Sequence, residues 1–163
     1  DVDPAHRWLV EPLIVHRWSG YDVRFPQYSR TFDEAYQSIE SERFDRVVRA
    51  ALPPAAIVRA EVSEISPTSV RLSDGRILEA DRVLDTRGAG DLSTIDCGWQ
   101  KFVGQTLTLE RPHGLERPVI MDATVDQRDG YRFVYVLPLG PSEIFVEDTY
   151  YSDTPDLDVA AVK

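Results

Sequence analysis

Glu143-Ile144-Phe145-Val146-Glu147-Asp148-Thr149-Tyr150-Tyr151 is an apolar, aromatic run with two adjacent carboxylates at its centre. Alternate residues of a strand point to opposite faces. Phe145, Glu147, Thr149 and Tyr151 therefore share one side, and Ile144, Val146, Asp148 and Tyr150 share the other. One acid faces each way. A carboxyl on a buried face pays a desolvation penalty that raises its pKa and suits it to donate a proton near neutral pH.

The segments around this strand repeat its pattern. Gln100 to Leu109, Pro118 to Thr124 and Tyr131 to Leu139 read as further strands separated by Pro and Gly, with Tyr131, Phe133 and Tyr135 forming one aromatic stripe. A largely antiparallel sheet of this kind needs only one buried face. Upstream, Leu13 to Tyr36 alternates aromatic and aliphatic residues with Arg and Ser, broken at Gly20 and Pro26, and predicts two or three short strands.

Ser41 to Leu52 places Phe44, Val47, Val48 and Ala51 on one face at helical spacing. Ser41 is the expected N-cap and Pro53-Pro54 the stop, so the helix reads as a packing element. Val58, Ala60 and Val62 then alternate as a strand, Val70 and Leu72 begin another, and Asp74-Gly75 signals a hairpin into Ile77 and Leu78. Asp81 to Asp91 reads as a short strand entering the turn Gly88-Ala89-Gly90. Glycines there would permit positive φ and close approach of backbone to a ligand, although a lone G-x-G more often marks an ordinary turn.

Composition narrows the function classes. The 163 residues, 42% hydrophobic, suffice for one globular domain. The net charge of -10 argues against a nucleic-acid footprint and against electrostatic adhesion to anionic lipid. Cys97 is the sole cysteine, which excludes an internal disulfide and points to a reduced intracellular protein. Three scattered histidines, His6, His16 and His113, offer no ligand spacing, so no metal site is expected; His113, between Pro112 and Gly114, reads as a loop residue. No run approaches the roughly 18 to 20 apolar residues of a membrane-spanning helix. Asp3-Pro4 opens a helix-like run at once, and another helix is expected after Asp156 or Asp158. The chain reads as a central section of a longer protein.

Two resemblances follow from these motifs. The order of amphipathic helix, strand, Asp74-Gly75 hairpin and Ala80-Asp81-x-Val83-x-x-x-x-Gly88 resembles the second half of the FAD-binding domain of two-dinucleotide-binding flavoproteins. The glycine fingerprint of that fold is absent between Asp1 and Lys163. A sharper resemblance covers nearly the whole chain. It rests on Pro12-Leu13-Ile14-Val15-His16-Arg17-Trp18, Tyr21-x-Val23-Arg24-Phe25-Pro26, Ser38-Ile39-x-Ser41-Glu42-Arg43-Phe44, Gly98 to Gln105, Pro112-His113-Gly114-Leu115, Ile120 to Gln127, Gly130 to Tyr135, and Phe145-Val146-Glu147-Asp148-Thr149. These segments resemble bacterial lycopene β-cyclases. The last is similar to a Phe-Leu-Glu-Glu-Thr motif of plant cyclases, whose first Glu is assigned as the catalytic acid and aligns with Glu147.

The resemblance implies an α+β protein: a mainly antiparallel substrate sheet over about residues 11–40 and 98–152, and part of an FAD-binding domain over about residues 41–91. It implies cyclisation of lycopene ψ-ends to β-rings, giving γ- and β-carotene without net redox change. Glu147 would be the catalytic acid, supported by Asp148, Phe145, Tyr131, Phe133 and Tyr135. Reduced FAD would act in a non-redox role near Arg87, Gly88 and Gly90. The complete enzyme would be peripheral to the cytoplasmic face of a membrane, and this segment alone would be inactive. Asp148 has the simpler alternative of orienting a neighbour, and Asp122 and Asp126 are equally suited to turns or to support of the site. Two rival functions remain open: a flavin-dependent monooxygenase or reductase on the same fold, or a non-enzymatic module that binds an apolar ligand.

Overall fold

The computed structural model describes residues 2–88 and 90–162. It contains strands β1 (Ile14–Trp18), β2 (Tyr21–Phe25), β3 (Tyr28–Phe32), β4 (Tyr36–Ile39), β5 (Val62–Ile65), β6 (Ser69–Leu72), β7 (Ile77–Glu79), β8 (Trp99–Thr108), β9 (Val119–Asp122), β10 (Tyr131–Gly140) and β11 (Glu143–Ser152). Helices are few: α1 (Arg7–Val10), α2 (Ser41–Ala51), α3 (Val159–Val162) and three single 3-10 turns. The chain divides into two compact units, residues 1–45 with 97–163 and residues 46–96, the boundary running through α2.

In the larger unit six strands form one sheet in the order β3-β2-β9-β10-β11-β8, and β1 pairs with β4 as a separate ribbon. Every pairing in the six-stranded sheet is antiparallel except β2 with β9. At the sheet centre Tyr135 stands opposite Glu147 on β11, which stands opposite Gly104 on β8. Pro138 lies beyond the last β9 partner, Val136, where its missing N–H costs that strand no ladder bond.

Both faces of this sheet carry buried side chains. On the Glu147 side Phe133 is 0% exposed and Thr149 is fully buried, while on the opposite side Tyr150 and Asp148 are buried as well. The second face is closed by loops tied down through polar groups. Gln127 binds the Arg132 backbone from both sides, donating to its carbonyl and accepting from its N–H, each at 2.9 Å. Lys101, buried on that face, reaches the Thr154 carbonyl at 3.1 Å, the Asp156 carbonyl, and the Asp129 carboxylate at 2.7 Å. Sealing Phe133 from water stabilises the fold by about 1.5 to 3 kcal/mol. No buried side-chain nitrogen or oxygen among the described residues lacks a partner.

The terminal helices form with the expected carboxylate caps. Asp3 accepts from the Ala5 N–H at 2.8 Å, and Asp158 accepts from the N–H groups of Ala160 and Ala161 at 3.1 Å. The expected N-cap of α2 shifts by one residue. Ser41 is already helical, and the Glu40 carbonyl accepts the first bond, from the Phe44 N–H at 2.9 Å. The apolar face of α2 is also less enclosed than its periodicity suggests, since Phe44 is 50% exposed and no residue of the helix is buried.

The smaller unit is a three-stranded antiparallel sheet, β5-β6-β7, with Leu72 buried. The Asp74-Gly75 hairpin is present, with Gly75 at φ 89° and the Asp74 carboxylate accepting from the Arg76 N–H at 3.1 Å. One expected strand starts late and another does not form. Pairing of β5 begins only at Val62, and residues 81–88 take no ladder partner, the Val83 N–H bonding instead to the Pro67 carbonyl at 2.9 Å. Alternation alone does not make a strand where no neighbouring edge is offered. Among the described residues no helix is long and apolar enough to cross a membrane.

Candidate functional site

The two acids of β11 have separate environments because they point to opposite faces. Asp148 is held by Arg132, whose Nε donates to Oδ1 at 2.8 Å and Nη2 to Oδ2 at 2.7 Å, a bidentate pair that matches the planar fork to the carboxylate. The Tyr150 hydroxyl donates to the same Oδ2 at 3.1 Å, and the guanidinium carbon lies 5.6 Å from the Tyr150 ring centroid. The hydrogen bonds to Asp148 raise the Arg132 pKa above its ordinary value against the opposing effect of burial. Asp148 is thus committed to a structural pair, and the position it orients is Arg132.

Glu147 has no such partner. Among the described residues no Arg, Lys or His forms an ion pair with it, and it accepts instead from a hydroxyl, Thr149 Oγ1 donating to Oε1 at 3.1 Å. It stands opposite Tyr135 in the cross-strand register. Along the same face run Tyr131, Phe133 and Tyr135, with successive ring centroids 5.8 and 5.3 Å apart, the second pair edge-to-face, and Tyr151 stacks on Phe133 at 5.8 Å. The structure therefore brings together five of the sequence-predicted residues, Glu147, Phe145, Tyr131, Phe133 and Tyr135, and puts Asp148 behind the sheet.

A residue that strand alternation did not single out feels the charge of this acid. Burial, and after it the negative charge of Glu147 and then Tyr21, push the Tyr36 hydroxyl above the usual tyrosine range. Tyr135 is raised in the same direction by burial, then by Tyr36, Tyr151 and Glu147. Tyr36 belongs to the β1–β4 ribbon, where it packs on Trp18 at 6.0 Å and on Tyr21 at 5.8 Å between centroids. It also lines a cavity of about 980 Å³, with Val10, Ile14, Tyr21, Ile39 and Ile120 and the charged Arg7, Glu11, Arg17 and Glu34. Its only sequence signal was an aromatic at the start of a short strand.

The other candidates fall into local roles. Asp122 accepts from the Thr124 N–H at 3.1 Å and hydroxyl at 2.5 Å, a turn motif, and lies 3.6 Å from Arg24. The Asp126 carboxylate is exposed beside Arg128. His113 accepts from the Leu115 N–H on Nδ1 at 3.0 Å, which leaves Nε2–H to donate to the Gly140 carbonyl at 2.6 Å. Cys97 is exposed, and no metal-binding cluster exists among the described residues.

In the smaller unit, Gly88 has φ 98°, and a Cβ placed on Gly88 or Gly90 would meet nothing within 4 Å, so backbone there is open to a close-approaching group. Ala89 between them lies outside the described residues. Arg87 is engaged by Asp85, with Nε to Oδ1 at 2.9 Å and Nη2 to Oδ2 at 2.7 Å, which depresses the Asp85 pKa to about 2. The glycines fit a cofactor that approaches main chain; Arg87 could serve it only while still paired.

These features define a mixed α/β protein, mostly sheet, with an unpaired acid set in an aromatic face. The same fold is found in a solved peptidyl tryptophan dihydroxylase, QhpG, essential for tryptophylquinone cofactor biogenesis, with a TM-score of 0.53 and 16% identity over 97% of this chain and 37% of that one.

At the level of sequence the assignment is narrower: residues 3–163 match the lycopene cyclase protein family, and the chain belongs to it. It is 46% identical to a lycopene beta-cyclase of Pantoea ananas, over 96% of this chain and 41% of that protein. It is 44% identical to that of Pseudescherichia vulneris, over 100% and 42%, and 42% identical to that of Paracoccus sp. (strain N81106 / MBIC 01143), over 97% and 41%. The chain thus spans about two fifths of the length of these curated relatives.

Proposed function

We propose that this chain is the central segment of a flavin-dependent lycopene β-cyclase, with Glu147 as its catalytic acid. The observation that carries the reading is the contrast between the two adjacent acids: Asp148 is neutralised by Arg132, whereas Glu147 accepts from the Thr149 hydroxyl, stands opposite Tyr135 and pairs with no cation among the described residues. An acid for carbocation chemistry needs that setting. A proton from the Glu147 carboxyl adds to the terminal double bond of the ψ-end, the neighbouring alkene attacks the tertiary cation, and loss of a proton leaves the β-ring. No oxidation state changes.

Around the developing cation, Tyr135, Tyr131 and Phe145 offer ring faces, each contributing about 0.5 to 2 kcal/mol where desolvated, while Phe133 packs against Tyr131 and Tyr135 and holds them in place. Phe133, fully buried, has no water on either side. Dryness matters because water would trap the cation as an alcohol. Asp148 acts through the sheet, by fixing Arg132 and Tyr150 behind the strand that presents Glu147. FAD, bound in its reduced form, would supply an electron-rich ring without net redox change, and the residues of this chain suited to hold it are Gly88 and Gly90, with Arg87 paired to Asp85. Acting on a carotenoid dissolved in lipid, the complete enzyme would lie peripherally on the cytoplasmic face of the membrane.

The test expresses the complete enzyme carrying this segment in lycopene-accumulating cells, as wild type and as Glu147→Gln. The expected outcome is β-carotene from the wild type and unchanged lycopene from the variant at equal protein level. Persistent β-carotene in the variant removes Glu147 from the acid role. Consumption of NAD(P)H in proportion to product would instead make the protein an oxidoreductase.

A further inference from the structure

Gly104 stands opposite Glu147 on β8, the edge strand of the sheet. A Cβ built on it would lie 2.6 Å from Phe145 Cζ, 2.9 Å from Phe145 Cε2 and 3.7 Å from Glu147 Oε2. The first two separations are shorter than any real Cβ contact, so no side chain fits there while the Phe145 ring keeps its place. Phe145 is itself registered with Thr106, two residues along β8, so its ring reaches diagonally across the strand to lie over Gly104. The far end of the ring fills the missing side chain's place, and the Glu147 carboxyl borders the same position.

We propose that Gly104 is a positioning residue for the proton-donating site: its bare backbone is the notch that seats the Phe145 ring against Glu147. This rests on the cyclase reading of Glu147. The flanking residues of β8 on the same face give no substitute cover, since Phe102 is 57% exposed and Thr106 is exposed. Among the described residues no further strand lies beyond β8. The Phe145 ring and the Glu147 carboxyl thus flank one empty Cβ position, where the ring offers its π-face to the cation formed beside the protonated carbon. The colliding atoms belong to the far end of a side chain and not to backbone, so a methyl at position 104 displaces the ring and spares the ladder. A glycine covered by a cross-strand aromatic is also a device for stabilising sheets. That simpler role makes a different prediction: activity would fall only in step with stability.

The experiment uses the complete enzyme, with lycopene in vesicles, and compares wild type, Gly104→Ala, Phe145→Leu and the double variant by kcat, KM and thermal midpoint. For Gly104→Ala the expected result is a kcat lower by about 10- to 100-fold, the scale of a misplacement near 1 Å, with KM within about twofold of wild type. The thermal midpoint stays within about 2 °C of wild type, a small shift for a protein more than twice the length of this chain. Because leucine is shorter than phenylalanine, Gly104→Ala/Phe145→Leu should match Phe145→Leu alone within about threefold in kcat, the alanine now costing little. Wild-type kcat in Gly104→Ala overturns the inference, as does a double variant that keeps the full additional loss from the alanine. If Gly104→Ala is insoluble, a soluble double variant with the activity of Phe145→Leu supports the steric link, and an insoluble one refutes it. Failure of the cyclase reading is distinguishable, because the wild type itself would then form no cyclic product.

Discussion

Arg132→Met tests the division of labour between the two acids most directly. It leaves the buried Asp148 carboxylate with the Tyr150 hydroxyl as its one remaining side-chain partner among the described residues. Methionine retains most of the arginine stem, so the loss is electrostatic and not a cavity. Removing one member of a buried pair costs about 3 to 5 kcal/mol, and the side chains here, 18% and 11% exposed, are buried enough that solvent discounts this only to about 3. Asp148→Val in turn leaves the guanidinium with only the Asp126 carbonyl, at 3.1 Å, as acceptor among the described residues and should cost about 2 to 3 kcal/mol. The double variant removes both charges together and should cost far less than the sum, giving a coupling energy of about 2 to 3 kcal/mol. Urea unfolding followed by tryptophan fluorescence, with the slope unchanged across the four proteins, measures it. If the single effects add to within about 0.5 kcal/mol, the pair carries no net energy and Asp148 is not explained by Arg132.

Two pH measurements probe the remaining electrostatics. In Glu147→Gln the Tyr36 hydroxyl should titrate lower than in wild type by ultraviolet absorbance, while staying above the ordinary value of 10.0 because burial is the larger cause; an unchanged midpoint would separate Tyr36 from the acid's face. Since the folded Tyr36 pKa is raised, its contribution to stability is complete below pH 10 and is lost as pH climbs through the folded value. The Asp85 carboxyl should titrate near 2 by carbon-detected NMR and move up toward 3.8 in Arg87→Gln; its small stabilising effect is present above 3.8 and lost as pH falls through about 2. A midpoint at 3.8 in both proteins would mean that Arg87 is free of Asp85.

Strand and helix positions were legible wherever the pattern was long. Trp99–Thr108, Tyr131–Gly140 and Glu143–Ser152 lie within a residue or so of the expected runs, because ten alternating residues specify a face and a register. Short apolar patterns misled. Residues 81–88 carry strand-like residues but no partner edge, and the Phe44 face of α2 is amphipathic yet half open. The family was also readable from the chain alone, since several long motifs in a fixed order leave little room for coincidence.

By itself the sequence determined that Glu147 and Asp148 point opposite ways, because a strand has a period of two. It also carried the aromatic stripe of β10 and the membership of a cyclase family. Only the tertiary structure decided which acid is neutralised, because Arg132 is sixteen residues from Asp148 and reaches it through the β10–β11 pairing. The same holds for Tyr36, brought toward Glu147 from a separate ribbon, and for Gly104, whose lack of a side chain acquires meaning only beneath the Phe145 ring. Periodicity sets direction within one strand; partners come from the order in which strands are laid side by side.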